Sequence, residues 1–168
     1  MIFETARLTL RPLTADDAQF MVRMWTDPQV YRFIGGAKTP DETRHKIQEA
    51  ISHQNRHGYA RWAVTLKTTG ELIGLCGPMN KRLDAVEEIE LGYAFPQIHW
   101  GFGYATEAAR ASVVQCLQGL GFTRVVAIVH PGNLPSIRVI VKIGMHFERS
   151  LKWDTGPANL YVIETLER

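Results

Sequence analysis

Apolar and polar residues alternate over residues 8–13 (LTLRPL), the pattern of a half-buried strand. Thr14 then supplies an N-cap, with Asp16 and Asp17 in the first turn of a helix that should run to about Trp25. After a Gly35-Gly36 break, Thr39-Pro40 followed by Asp41 and Glu42 opens a second helix, which Gly58 ends. Residues 61–66 and 72–75 flank Lys67-Thr68-Thr69-Gly70-Glu71 and read as a hairpin, and residues 87–95 form a further strand before Pro96. A helix is predicted over 105–120, a buried strand over 125–129, and a helix over 134–143 that Gly144 stops. Residues 147–153 and 160–166 close the chain as two strands around Asp154-Thr155-Gly156-Pro157. With no repeat or linker in this order, the chain reads as mixed α/β (α+β). The expected architecture is a single domain over residues 1–168, with a central, mostly antiparallel twisted sheet of about seven strands flanked by helices.

Composition narrows the classes. A chain of 168 residues, 45% hydrophobic and 21% charged, can bury roughly two-thirds of its unfolded surface in one core. A formal net charge of +2, with no basic run longer than Lys81-Arg82, is a weak argument for nucleic acid and none for a membrane surface, and neither is expected as a partner. Cys76 and Cys116 lack metal-ligand spacing, and the opening MIFETARLTLRPL is no signal peptide, so a reduced cytoplasmic protein is expected. No apolar run reaches the roughly 20 residues a spanning helix needs.

The stretch Trp100-Gly101-Phe102-Gly103-Tyr104-Ala105-Thr106 leads two glycines straight into a helix. It lacks the GK followed by Ser or Thr of a P-loop. It also lacks the third small residue and downstream acid of a dinucleotide fingerprint, Thr106 standing where the small residue belongs. What remains is a set of helix-start N–H groups, at Phe102, Gly103, Tyr104 and Ala105, that could hold an anion. A tight strand-to-helix turn with no ligand is the equal alternative. In the preceding strand Ile89, Leu91, Tyr93 and Phe95 share one face, and Glu88, Glu90, Gly92 and Ala94 the other. That second face combines two carboxylates with two very small residues, leaving room for an extended ligand along it. A bulge near the strand's end would free backbone groups to bond that ligand, whereas the glutamates alone fit a solvated face equally well.

The order of elements, Glu90-Leu91-Gly92-Tyr93, the segment 100–109, and Asn133-Leu134-Pro135-Ser136 through Lys142-Ile143-Gly144-Met145 resemble the GNAT superfamily of acetyl-CoA-dependent N-acyltransferases. The opening Thr5-Ala6-Arg7-Leu8-Thr9-Leu10-Arg11-Pro12-Leu13, with Asp27-Pro28, is similar to the branch containing the ribosomal-protein N-terminal acetyltransferases. The family's pyrophosphate loop has Arg or Gln where this chain has Trp100; Gly103 and Ala105 keep the later positions. The resemblance implies that residues 100–106 bind the pyrophosphate, that Tyr93, Ala94 and Phe95 pair with the pantetheine arm, and that Asn133 and Ser136 contact the same coenzyme. Asn133 reads equally as an N-cap.

It further implies direct acetyl transfer to a primary amine, with Glu90 as base and Glu88 in reserve. The N–H group after Leu91 or Gly92 would polarise the thioester carbonyl. Carboxylates this close favour protonation of one of them. Where many members have a tyrosine this chain has Ile140, so Ser136 becomes the proton donor, with Tyr104, Tyr161 and water as alternatives. A protein or peptide N-terminus is the expected acceptor, its α-amine having a reference pKa of about 8 against about 10.4 for lysine. Polyamines, amino acids and aminoglycosides are the alternatives within the class, and a catalytically silent acyl-CoA-binding module is the alternative outside it. The modest net charge weighs against a strongly acidic acceptor. Tyr31, Phe33 and Trp153, with the loop 153–159, are expected to frame the acceptor site. His99 and His130 flank strand ends beside it, as substrate contacts or as ordinary surface histidines. No metal is expected: His53 and His57 share a helix face but have no third ligand nearby. Homodimers are common in the family, with no interface legible in this chain.

Overall fold

The computed structural model describes residues 1–36, 38–153 and 156–165. Its strands are β1 (Phe3–Glu4), β2 (Leu8–Arg11), β3 (Trp62–Leu66), β4 (Leu72–Leu83), β5 (Val86–Ala94), β6 (Arg124–Val129), β7 (His146–Trp153) and β8 (Gly156–Glu164). They form one sheet in the order β1-β2-β3-β4-β5-β6-β8-β7, with every neighbouring pair antiparallel except β5 and β6. The expected sheet of about seven strands gains β1, whose two residues pair with Leu10 and Thr9 and are too few to show any alternation.

Helices α1 (Ala18–Trp25), α2 (Pro28–Tyr31) and α3 (Pro40–His57) cover one face, and α4 (Tyr104–Val114) and α5 (Leu134–Lys142) the other. Their ends follow the local chemistry. Thr39 and Glu42 form a reciprocal capping box at the start of α3, and Gly58, at φ +81°, ends it in the left-handed conformation. A 3-10 turn at Ala15–Asp17 leads into α1, and buried Asp17 accepts from the Thr14 N–H at 2.9 Å and from Arg11 at 2.7 and 2.8 Å. The core under α4 and α5 packs Leu91 and Phe95 of the β5 end against Ala108, Ala109 and Val113. The core under α1 and α3 packs Ala94 and Leu75 against Met21, Met24 and Trp25.

Three elements depart from expectation. β4 continues eight residues past the expected stop at Leu75, through Gly77 and Pro78 to Leu83. Pro78 is tolerated because the β3 partner ends at Trp62↔Cys76, leaving that edge of β4 without a ladder. The helix predicted to Leu120 stops at Val114 and passes into a wider π turn at Gln115–Gly119, where the Leu120 N–H bonds Gln115 O at 2.9 Å. No bulge interrupts β5: its register with β4 is continuous from Leu83↔Val86 to Leu75↔Ala94. The predicted turn residues Asp154 and Thr155, and Leu166 at the end of the last predicted strand, lie outside the described residues.

Candidate active site

The break expected within β5 lies instead between β5 and β6. These two parallel strands meet at a single register pair, Glu90↔Val126, although β5 runs on to Ala94 and β6 to Val129. Beyond Glu90 the backbone on that side of β5 has no strand partner among the described residues, and a cleft of about 520 Å³ opens there. A crevice outside the carboxyl ends of parallel strands is where open α/β sheets commonly take ligands. Glu90, Tyr93, Ala94, Asn133 and Ser136 line this cleft, and so do the expected acceptor residues Tyr31, Phe33 and Trp153. Glu88 is not among its lining residues.

Each glutamate carries its own arginine. Glu90 Oε2 accepts from Arg61 Nη2 at 3.0 Å, and Arg61 Nη1 donates to Glu90 O at 2.8 Å and to Gly77 O. Both side chains are largely buried, at 18% exposed. Glu88 receives Arg124 Nε at 3.2 Å on both oxygens, and the same guanidinium binds Glu148 and Glu164. The mutual effect of two close carboxylates expected from sequence is therefore replaced by two separate ion pairs. The space over Gly92 expected to admit a ligand is also taken. A Cβ there would lie 2.3 to 2.9 Å from the Arg61 guanidinium, so the glycine makes room for an arginine.

Arg61 was not legible as a site residue, because its position depends on Gly77 and Gly92 facing each other across β4 and β5. Gly92→Ala is expected to expel the guanidinium and lower stability by about 1.5–3 kcal/mol, the range for hydrogen bonds to charged groups. In an Arg61→Met background the same change should cost much less, a non-additivity that denaturant unfolding of the four proteins would measure.

The serine proposed as proton donor is tied to a tyrosine. Tyr93 and Ser136 hydroxyls lie 2.7 Å apart, and burial pushes the Tyr93 phenol above its ordinary pKa. Asn133 Oδ1 accepts from the Ser136 N–H at 3.3 Å, so Asn133 is the N-cap of α5 as well as part of the cleft wall. Ile140, at the family's tyrosine position, is fully buried in the core.

At the start of α4, Gly101 (φ +84°) and Gly103 (φ +81°) both take the left-handed conformation that favours glycine. Gly103 is the N-cap. The first α4 amide to reach a carbonyl is that of Glu107, which bonds Gly103 O at 3.0 Å; those of residues 101–106 bond no described residue. This arrangement fits a pyrophosphate held by backbone N–H groups. Trp100, in place of the family's Arg or Gln, ties the loop to the end of β5 through Nε1 donating to Phe95 O at 2.7 Å. A latch from the other end of the chain holds the loop's far side. Arg7 donates to Phe102 O at 3.0 Å, lies 4.7 Å over the Tyr104 ring, and pairs with Glu107 at 2.7 Å, while Thr5 bonds Glu107 at 2.6 Å. Gly103 and Thr106 also border a surface groove of about 750 Å³ along α4.

His53 contacts Tyr59 O at 2.8 Å and Asn80 Oδ1 at 3.1 Å, and its ring lies 4.4 Å from that of His57. No cluster of three metal-ligating side chains occurs among the described residues. Cys76 and Cys116 are free and buried, and burial pushes both thiols up to about 12. Among the described residues no helix is long and apolar enough to cross a membrane.

A mixed sheet with two parallel central strands splayed at their ends, a glycine-rich helix start, and a carboxylate in the cleft between them is the arrangement that the resemblance to acyl-coenzyme A-dependent transferases implies. Residues 7–146 match the family model described as acetyltransferase (GNAT) domain, and the chain belongs to that family. It is 35% identical over 158 residues to the uncharacterized protein YkkB of Bacillus subtilis (strain 168), covering 94% of this chain and 92% of that one. An acetyltransferase structure from Agrobacterium tumefaciens str. C58 superposes with a TM-score of 0.87 at 27% identity, covering 98% and 95% of the two chains. The ribosomal-protein-S5-alanine acetyltransferase of Vibrio fischeri shares the fold, with a TM-score of 0.78 at 16% identity over 98% and 96%.

Proposed function

We propose that this acetyltransferase acts on a primary α-amine, with a protein or peptide N-terminus as the leading acceptor, and that Glu90 and Ser136 carry the proton transfers. The observation that supports this most directly is the parting of β5 from β6 at Glu90, which places that carboxylate and Ser136 on one cleft. Acetyl-CoA supplies the acetyl group as a thioester when bound. The amides of residues 101–106 hold its pyrophosphate, and the unpaired edge of β5 from Leu91 to Ala94 aligns its arm. Arg61 fixes Glu90 Oε2, leaving Oε1, which bonds no described residue, to take the proton from the attacking amine, directly or through water. An amide N–H on that edge polarises the carbonyl, as a preorganised donor should. As the C–N bond forms and the C–S bond breaks, Ser136 Oγ, in hydrogen-bond contact with the Tyr93 hydroxyl 2.7 Å away, gives its proton to the departing sulfur, and the proton that Glu90 took returns to Ser136 through solvent.

This pair supports catalysis over the reading of the chain as a silent coenzyme-binding module, since it supplies a hydroxyl on the helix where the family's tyrosine is missing. The test is acetyl-CoA binding by calorimetry, followed by release of free thiol with and without primary amines. Amine-dependent thiol release is expected, and Ser136→Ala should slow it by about tenfold or more. Binding with no amine-dependent release would leave the module reading instead.

A further inference from the structure

The cleft carries an uneven set of charges. Lys38, Lys46, Arg61 and Lys81 line it against Glu49 and Glu90. Both acids are committed: Glu49 to Lys46 at 3.0 Å and to His45 at 3.2 Å, and Glu90 to Arg61 at 3.0 Å. Lys38 and Lys81 pair with no carboxylate among the described residues. Glu88, opposite Lys81 in the β4–β5 register, is taken by Arg124. Lys81 is also held in place, its Nζ 4.7 Å over the Trp153 ring. His130 lines the same cleft with its ring against Phe33, and its Nδ1 accepts the Gly132 N–H at 2.9 Å. Neutral His130 therefore carries its proton on Nε2 and can only donate there. Of the charged groups lining the cleft, the two left without an ion pair among the described residues are therefore lysines, and His130 adds a donor beside them.

We propose that the amine acceptor carries an anionic oxygen group, in its simplest form a carboxylate, close to the amine, and that Lys38, Lys81 and His130 receive it. The proposal rests on the acetyltransferase reading and names its substrate class. A polyamine or aminoglycoside would bring further cations to a cleft with no free carboxylate among its described residues, whereas an amino acid or a peptide with an acidic residue beside its N-terminus supplies the missing charge. The whole-chain charge of +2, which weighed against an acidic acceptor, averages away this local excess.

The test is kcat/KM for matched acceptors: alanine against alaninamide, Ala-Asp-amide against Ala-Asn-amide, and spermidine. At least one acid should exceed its amide partner by about tenfold or more, as charge-assisted hydrogen bonds allow. The pair that shows the preference identifies whether the carboxylate is the α-carboxylate or a side chain. In the Lys38→Met, Lys81→Met double variant that ratio should fall toward unity, and Lys81→Arg should retain it better than Lys81→Met. Equal rates within both pairs, a preference for spermidine, a ratio unchanged in the double variant, or no transfer to any acceptor by protein that binds acetyl-CoA overturns the proposal. Failure to bind acetyl-CoA overturns instead the reading on which it rests.

Discussion

Glu90→Gln should lower kcat by about two to four orders of magnitude, the usual contribution of a general base, while the affinity for acetyl-CoA changes by no more than a few-fold. Glutamine keeps the length and an acceptor oxygen for Arg61 Nη2, which now lies 3.0 Å from Glu90 Oε2, so the side chain should keep its place. It loses only the capacity to take a proton at neutral pH. The two effects should separate because Glu90 shares the face of β5 that carries Ala94 toward the α1–α3 side of the sheet, whereas the coenzyme contacts proposed above are backbone groups of β5 and the start of α4. Steady-state kinetics with a saturating amine, and calorimetry on the same preparation, measure both. A kcat within threefold of the parent would remove Glu90 from the chemistry and turn attention to water.

The other large effect is expected at the start of α4. Gly103→Glu should weaken acetyl-CoA binding by about a thousandfold, because a unit charge about 4 Å from a phosphate costs about 4 kcal/mol at an effective dielectric of 20. Arg7 stands nearby, with Nη2 3.5 Å from where a Cβ would be, but it is already paired with Glu107 at 2.7 Å and cannot cancel the added charge without giving up that latch. Backbone strain must be separated from charge, since Gly103 has φ +81°. Gly103→Ala carries the strain, about 1–2 kcal/mol, without the charge. The alanine variant should bind within about tenfold of the parent if it folds, as circular dichroism and thermal melting would confirm. Equal loss in both variants would mean that the glycine serves the turn and not the anion.

Local pattern was enough to place most of the elements. Alternation located β2 and β5, Thr39 with Glu42 and Gly58 bounded α3, and the two glycines before Tyr104 marked a helix start with free amides. These signals act over a few residues, through side-chain direction, capping and φ preference, so they are present in the order of the amino acids alone. Glu90, Ser136 and Asn133 were legible by resemblance, and all three line the cleft.

What the chain order could not show depends on residues brought together from far apart. The length of β4 depended on β3 ending early enough to spare Pro78 a missing bond. The use of Gly92 depended on Arg61, 31 positions away, entering the space the missing side chain leaves. The loop latch joins Arg7 to Glu107, and the Ser136 hydroxyl meets Tyr93 across a helix and a strand. The two lysines of the cleft left without an ion pair among the described residues become visible only when each acid can be assigned its partner. Sequence by itself determined the order of the elements and the glycine turn, because those rest on local backbone preferences and side-chain alternation, while the fold family and the carboxylate to examine came by resemblance. Tertiary structure alone decided which face of β5 is filled, where the strands part and which charges remain uncompensated, because register and ion pairing are set by contacts between distant segments.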